Sequence, residues 1–170
     1  NDNTKLYKLR MLSMYNEAEF MMPLVDLLSI RLQQALNLRI SLGLCEKKEE
    51  EQRMYRLVNS EGDRLSGLII DVFGNKVVVQ SRGLWCEIHR EKIEEAIQRV
   101  FNRDDPEIKN NEMEIIWQRV NKHLEKDGWI NATDNTGTAI STDDDTIVDD
   151  YSGRIVCSEN GILYNVNPML

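Results

Sequence analysis

Residues 55–80 read YRLVNSEGDRLSGLIIDVFGNKVVVQ, and their reading decides the fold. Tyr55 and Leu57 alternate with Arg56 and Val58, the period of two that a short strand requires. Ser60-Glu61-Gly62-Asp63 is turn chemistry. Leu68-Ile69-Ile70 is a buried-strand run, Gly74-Asn75 a turn, and Lys76 to Gln80 a returning strand. Leu68–Gln80 is therefore expected to be a hairpin, with its turn type left open.

Upstream, Asn16–Leu44 reads as helix. Asn16 and Glu19 have capping-box spacing, but Pro23 breaks that first turn, so the main helix is expected to begin near Leu24. Leu24, Leu27, Leu28, Arg31, Ala35, Leu38 and Leu42 form its apolar stripe, with one interruption, and Gly43 is a plausible stop. Residues 5–15 look like one strand, which cannot fold alone. Glu46–Arg53 is a dense charge run, expected to be a solvated helix extension or linker.

Downstream, residues 86–101 form an amphipathic helix with Ile93, Ile97, Val100 and Phe101 on one face. Arg90–Glu94 and Glu95–Arg99 are spaced to pair one helical turn apart. Met113–Val120 is a strand with Ile115 and Trp117 on one side and Ile116 on the other. Residues 121–151 are rich in Asn, Thr, Asp and Gly and read as a polar insertion, mostly loop. Residues 154–157 and 162–166 suggest a second hairpin about a turn at 158–161. The order strand-strand-helix-strand-strand after a long helix predicts an α+β fold, a small, mostly antiparallel sheet backed by helices.

Composition narrows the class of protein. The 170 residues are 41% apolar and 29% charged, an ordinary globular mixture. No apolar run approaches the ~20 residues that span a bilayer, so no membrane partner is expected. Cys45, Cys86 and Cys157 are too dispersed for a disulfide framework or metal-ligand spacing. Reduced thiols point to an intracellular location, the cytoplasm ahead of an organelle. Net charge is −8, but six acids and no Lys or Arg fall between Ile130 and Gly153 (Asp134, Asp143, Asp144, Asp145, Asp149, Asp150). The remainder is nearly balanced, which leaves room for a shape-dependent RNA contact but not for strong autonomous binding.

Little catalytic chemistry is visible. Gly62, Gly67 and Gly74 are too widely spaced for a dinucleotide fingerprint. His89 and His123 lack a metal pattern; His89 is expected to pack beside its helix stripe. Asp143-Asp144-Asp145 has carboxylates for a hard cation but neither the ligand alternation nor the turn glycine of a calcium loop. Glu61, Asp63 and Asp71 are the acids of interest. An acid–base pair is one reading; turn-shaping, with Asp63 and Asp71 bonding nearby amides, is favoured. Arg56, Arg64 and Arg119 are candidates for facing an RNA backbone, or for pairing with those acids.

The opening stretch resembles the signature of the S-adenosylmethionine-dependent large-subunit rRNA cytosine-C5 methyltransferases. Those proteins are built as a PUA domain, a middle β-β-α-β-β domain and a class I methyltransferase domain. The family pattern is close to Y-R-L-V-x-x-E-x-D-G-L-P-G-L-x-V-D-R-[YF]-G-x-x-x-V-x-Q. This chain keeps Tyr55, Arg56, Leu57, Glu61, Asp63, Leu65, Gly67, Leu68, Asp71, Phe73, Gly74, Val78 and Gln80. It departs at Arg64, Ser66 and Val72, where the family has Gly, Pro and Arg. RLQQALNLR, Arg31 to Arg39, resembles the helix linking the PUA and middle domains. IIWQRVN, Ile115 to Asn121, is similar to the I-Y-x-R-S-D strand, keeping Arg119 but ending in Asn121. EKDGW stands where the family has K-K-E-G, with less basic character, and SENGILYNV, Ser158 to Val166, resembles the E-N-G-x-x-F-x-V hairpin.

The resemblance implies three segments: 1–16 as the tail of a PUA-like domain, 17–53 as the linking helix, and 54–170 as the middle domain carrying the 121–151 insertion. It places the catalytic domain after residue 170, together with the S-adenosylmethionine site and the thiolate that adds to C6 of cytosine. Cys45, Cys86 and Cys157 match no such nucleophile motif, so this part of the protein is expected to hold no cofactor and to transfer no methyl group. The implied partner of the parent enzyme is RNA, specifically rRNA, and a free sheet edge would allow pairing with a second copy. The alternatives are a protein-interaction module and a paralogue that has lost catalysis.

Overall fold

The computed structural model describes residues 21–45, 52–104, 113–128, 155–159 and 162–168. The strand read at 5–15, the Asn16–Glu19 box and most of the acidic insertion lie outside them.

Helix α1 spans Leu24–Ser41 and starts where Pro23 dictates. The Pro23 carbonyl accepts the amides of Asp26 and Leu27, at 3.0 and 3.1 Å. At the other end Gly43 adopts φ 72°. Its amide bonds the Ile40 carbonyl while Leu44 bonds that of Arg39, so the last turn closes on a left-handed glycine. The buried face differs from the expected stripe. Leu27, Leu28, Arg31 and Ala35 are inside, but Leu32, Leu36 and Arg39 complete the face, while Leu38 and Leu42 are 50% and 62% exposed. Both sets obey a helical period; the position of the neighbouring helix selects between them.

The sheet has six strands in the order β4-β3-β2-β1-β5-β6. They are β1 (Gln52–Asn59), β2 (Leu68–Phe73), β3 (Lys76–Ser81), β4 (Glu114–Arg119), β5 (Ile155–Glu159) and β6 (Ile162–Val166). Pairings β1–β2, β2–β3 and β5–β6 are antiparallel; β3–β4 and β1–β5 are parallel. The fold is thus the α+β class expected, with its long helix ahead of the sheet. Phe73 pairs with Lys76, so Gly74-Asn75 is a two-residue hairpin loop. Gly74 has φ 60°, and a glycine first in such a loop fits a type II′ turn. Strand β1 begins at Gln52, inside the charge run, because Gln52 and Arg53 pair with Cys157 and Ser158 of β5.

Between β3 and β4 the chain crosses over through α2 (Leu84–Ile88) and α3 (Arg90–Asp104). Parallel neighbours need such a connection. The sequence read one helix here; the structure breaks it at His89, which caps α2 with φ −113° and ψ 23°. Ile93, Ala96, Ile97, Val100 and Phe101 of α3 are buried, with the pairs Arg90–Glu94 and Arg99–Glu95 on the outer side. They pack with Leu28, Leu32, Ala35 and Leu36 of α1 onto Tyr55, Leu57, Leu68, Ile70, Val72, Val77 and Val79 of the sheet. Each fully buried aliphatic side chain contributes about 1.5–3 kcal/mol. The first six residues of the stretch read as insertion, Asn121–Lys126, form a short helix, α4, anchored by the fully buried Leu124. None of the described helices is long and apolar enough to cross a membrane.

Candidate functional site

The YRLV…Q stretch folds into a set of ion-paired turns. Ser60–Asp63 is a 3-10 turn closed by Arg64 in the left-handed region, φ 60°. Asp63 does bond a nearby amide: its Oδ2 accepts Asn59 N–H at 2.6 Å. It also binds Arg39 of α1 through both oxygens, at 2.5 and 2.8 Å, with the Asp63 side chain only 7% exposed. Arg39 Nε donates to the Arg56 carbonyl at 2.9 Å. The last turn of α1 is thereby clasped to β1 and its turn. Glu61 Oε1 accepts the Ser66 hydroxyl across the same loop. Asp71 lies mid-strand in β2, opposite Arg56, and takes Nε and Nη2 of that residue at 2.8 and 3.1 Å. This bond holds the Arg56 guanidinium above its ordinary pKa.

Arg119 ends β4 and is held elsewhere. Its Nε donates to Glu87 Oε2 of α2 at 2.8 Å, while Glu87 Oε1 accepts Trp117 Nε1–H at 2.9 Å. The Glu87 side chain is 2% exposed. The Arg90 guanidinium sits 5.1 Å from the centre of the Trp117 ring. Register links Arg56 through Asp71 and Val78 to Ile116 on one face of the sheet; Arg119, three residues further, is on the other. The three candidate arginines therefore do not converge. Arg56 is on one face, Arg119 on the opposite face three strands away, and the exposed Arg64 caps a turn.

A second cluster lies where β3 and β4 end together. Val120 N–H bonds the Ser81 carbonyl at 3.0 Å, which sets the start of α4 beside Arg82. The charges of Arg82, Lys126, Lys122 and Asp127 all act on His123. Burial, and then those three cations, lower its pKa; Asp127 works in the opposite direction. Arg82 Nε is buried with no hydrogen-bond partner among the described residues. Asp127 is occupied: its Oδ2 accepts Leu84 N–H at 3.1 Å, at the start of α2. Sequence reading missed Arg82, Lys122 and Lys126. The available signal was a short K-x-x-x-K helix directly after a strand. His89 is half-buried at the α2–α3 junction, its pKa lowered by burial and then by Lys92.

Cys86 is buried and its thiol lies 3.5 Å from the Gly67 carbonyl; Cys45 is half-buried, and neither forms a disulfide. Among the described residues no group of three or more His, Cys, Asp or Glu could hold a metal. The Asp143–Asp145 run and the Cys157 side chain lie outside those residues.

No protein-family model matches the chain, and a search of curated proteins finds no match. Solved structures do match. A candidate SAM-dependent methyltransferase from Streptococcus mutans superimposes with a TM-score of 0.55 at 19% identity, covering 86% of this chain and 31% of its own. SMU.776, a candidate methyltransferase complexed with SAH, gives the same score, identity and coverage of this chain, and 30% of its own. The likeness is one of fold. The chain spans about a third of the length of the structures it matches.

Proposed function

We propose that the chain is a non-catalytic middle fragment of an S-adenosylmethionine-dependent RNA (cytosine-C5) methyltransferase, positioning RNA against the catalytic domain. The observation that carries this reading is the shared fold: 86% of this chain matches less than a third of methyltransferase chains, one of them holding SAH. The four signature stretches, in family order, support the substrate class.

The described residues do not suit a methyl-donor pocket. In open α/β sheets a ligand sits beyond the carboxyl ends of parallel strands, near a helix start. Here the helix that follows β3 has only five residues, and its first amide is taken by the Asp127 carboxylate. The donor belongs elsewhere in the parent protein. When bound there it supplies the methyl group, and the residues of this chain set the geometry between the parts. The Arg39–Asp63 clasp serves that role by making α1 and the sheet one rigid piece.

The test has two parts. The parent enzyme, incubated with methyl-labelled S-adenosylmethionine and RNA, is expected to label C5 of cytosine. Calorimetric titration of the 170-residue chain with the donor is expected to give no binding heat. Micromolar donor affinity in the chain alone, or a parent that labels no RNA, refutes the reading.

A further inference from the structure

We propose that the corner where β3 and β4 end is a phosphate site for single-stranded RNA, formed by Arg82, Lys122 and Lys126 around His123. The proposal rests on the reading of the chain as part of an RNA methyltransferase, and it assigns the RNA contact to residues outside the signature.

Two independent observations support it. The first is Arg82 Nε, a buried donor on a permanently charged group with no partner among the described residues. A buried charged donor of this kind is satisfied by an acceptor from outside the protein, and a bound anion is one that would serve. The second is charge. In a chain of net charge −8, Arg82, Lys122 and Lys126 gather at one corner, because the Val120–Ser81 and Leu84–Asp127 bonds lay α4 against residues 81–84. Of the nearby carboxylates, Asp127 bonds the Leu84 amide and Glu87 holds Trp117 and Arg119. Glu125 is exposed on α4 and tempers the field without filling the corner. The balance of charge at this corner suits an anion.

The surroundings favour a nucleic acid strand over an acidic peptide. Lys122 and Lys126 lie one turn apart on α4, about 6 Å along its axis. That is comparable to the spacing of neighbouring phosphates on an extended strand. Both side chains are exposed, so a strand running along α4 can reach them together.

The measurement is anisotropy of a fluorescein-labelled decauridylate titrated with this chain, between about 50 and 200 mM salt. K122Q/K126Q changes two exposed side chains and should leave the fold intact. It is expected to weaken binding roughly tenfold at the lower salt and to reduce the salt slope by about 1.4, or ~0.7 per lost contact. R82Q, with its thermal melt checked, is expected to weaken binding in the same direction. An unchanged slope in K122Q/K126Q, or no oligonucleotide binding by the parent chain at low salt, overturns the site. Equal displacement by polyglutamate of matched length also overturns it, in favour of an acidic-peptide surface. Methyl transfer by the parent is read separately. If the parent labels RNA and K122Q/K126Q binds normally, the site falls and the function stands; if the parent labels none, the function falls and the binding data are judged alone.

Discussion

Replacing Asp63 by Ala tests the clasp between α1 and the sheet. The substitution removes both acceptors of the Arg39 guanidinium and the acceptor of Asn59 N–H. Arg39 stays behind as a 9%-exposed cation, retaining only its Nε bond to the Arg56 carbonyl. Breaking a buried pair from one side costs about 3–5 kcal/mol, because the surviving charge has lost water as well as its partner. The low end applies here, since both side chains keep a little solvent contact, so about 3 kcal/mol is expected. With a urea slope near 2 kcal/mol/M, the unfolding midpoint falls by about 1.5 M. The assay is urea unfolding followed by tryptophan fluorescence, with far-UV dichroism as the two-state check. The companion variant R39M/D63L removes both charges; it should recover much of the loss but retain about 1 kcal/mol for the Asn59 amide. A midpoint shift below about 0.5 M in D63A, or a double variant weaker than the single one, would refute the buried-clasp account.

Gly67→Ala should destabilise by at least about 2 kcal/mol, read from the thermal midpoint, because φ is 81° and the new Cβ would lie 3.2 Å from Gly83 backbone atoms. Arg64→Gly should stabilise by about 0.5–1 kcal/mol in the urea assay, since a non-glycine residue at φ 60° is strained. Asp71→Asn should cost less than about 1 kcal/mol in that assay, because its partner Arg56 is 49% exposed. His89 and His123 both have folded pKa values below the ordinary 6.5. The unfolded chain therefore binds their protons more readily, so this stability is present above pH 6.5 and is lost as pH falls through the folded values. The wild-type midpoint should drop more between about pH 7.5 and pH 5 than that of H89Q/H123Q; parallel curves would contradict it.

Local patterns in the sequence carried the hairpin, the α3 face and the β4 alternation, because each is set by neighbours within a few residues. The Arg64 departure is legible too: where the resembling family has Gly, this chain forces an arginine into the left-handed region. Long-range choices were not visible. Nothing in the periodicity of α1 distinguishes Leu36 and Arg39 from Leu38 and Leu42; the helix packed against it decides. Arg119 was expected to face RNA or the turn acids, and its partner Glu87 is 32 residues away on α2. Asp63 was read as closing its own turn, and Arg39, 24 residues upstream, makes it a tie between elements as well. The Arg82 corner needed the parallel pairing of β3 with β4 to bring two separate stretches together.

The six strands are not equally secured. Strands β1 to β4 are knit by long ladders under two helices, whereas among the described residues β5 joins β1 at two positions, Gln52 with Cys157 and Arg53 with Ser158. Amide exchange should therefore proceed by local opening at β5 and β6 and only by global unfolding at β2. A hairpin so lightly moored can peel away and trade places with its counterpart in a neighbouring molecule, and concentrated samples would then contain interlocked dimers whose remaining four strands are unchanged.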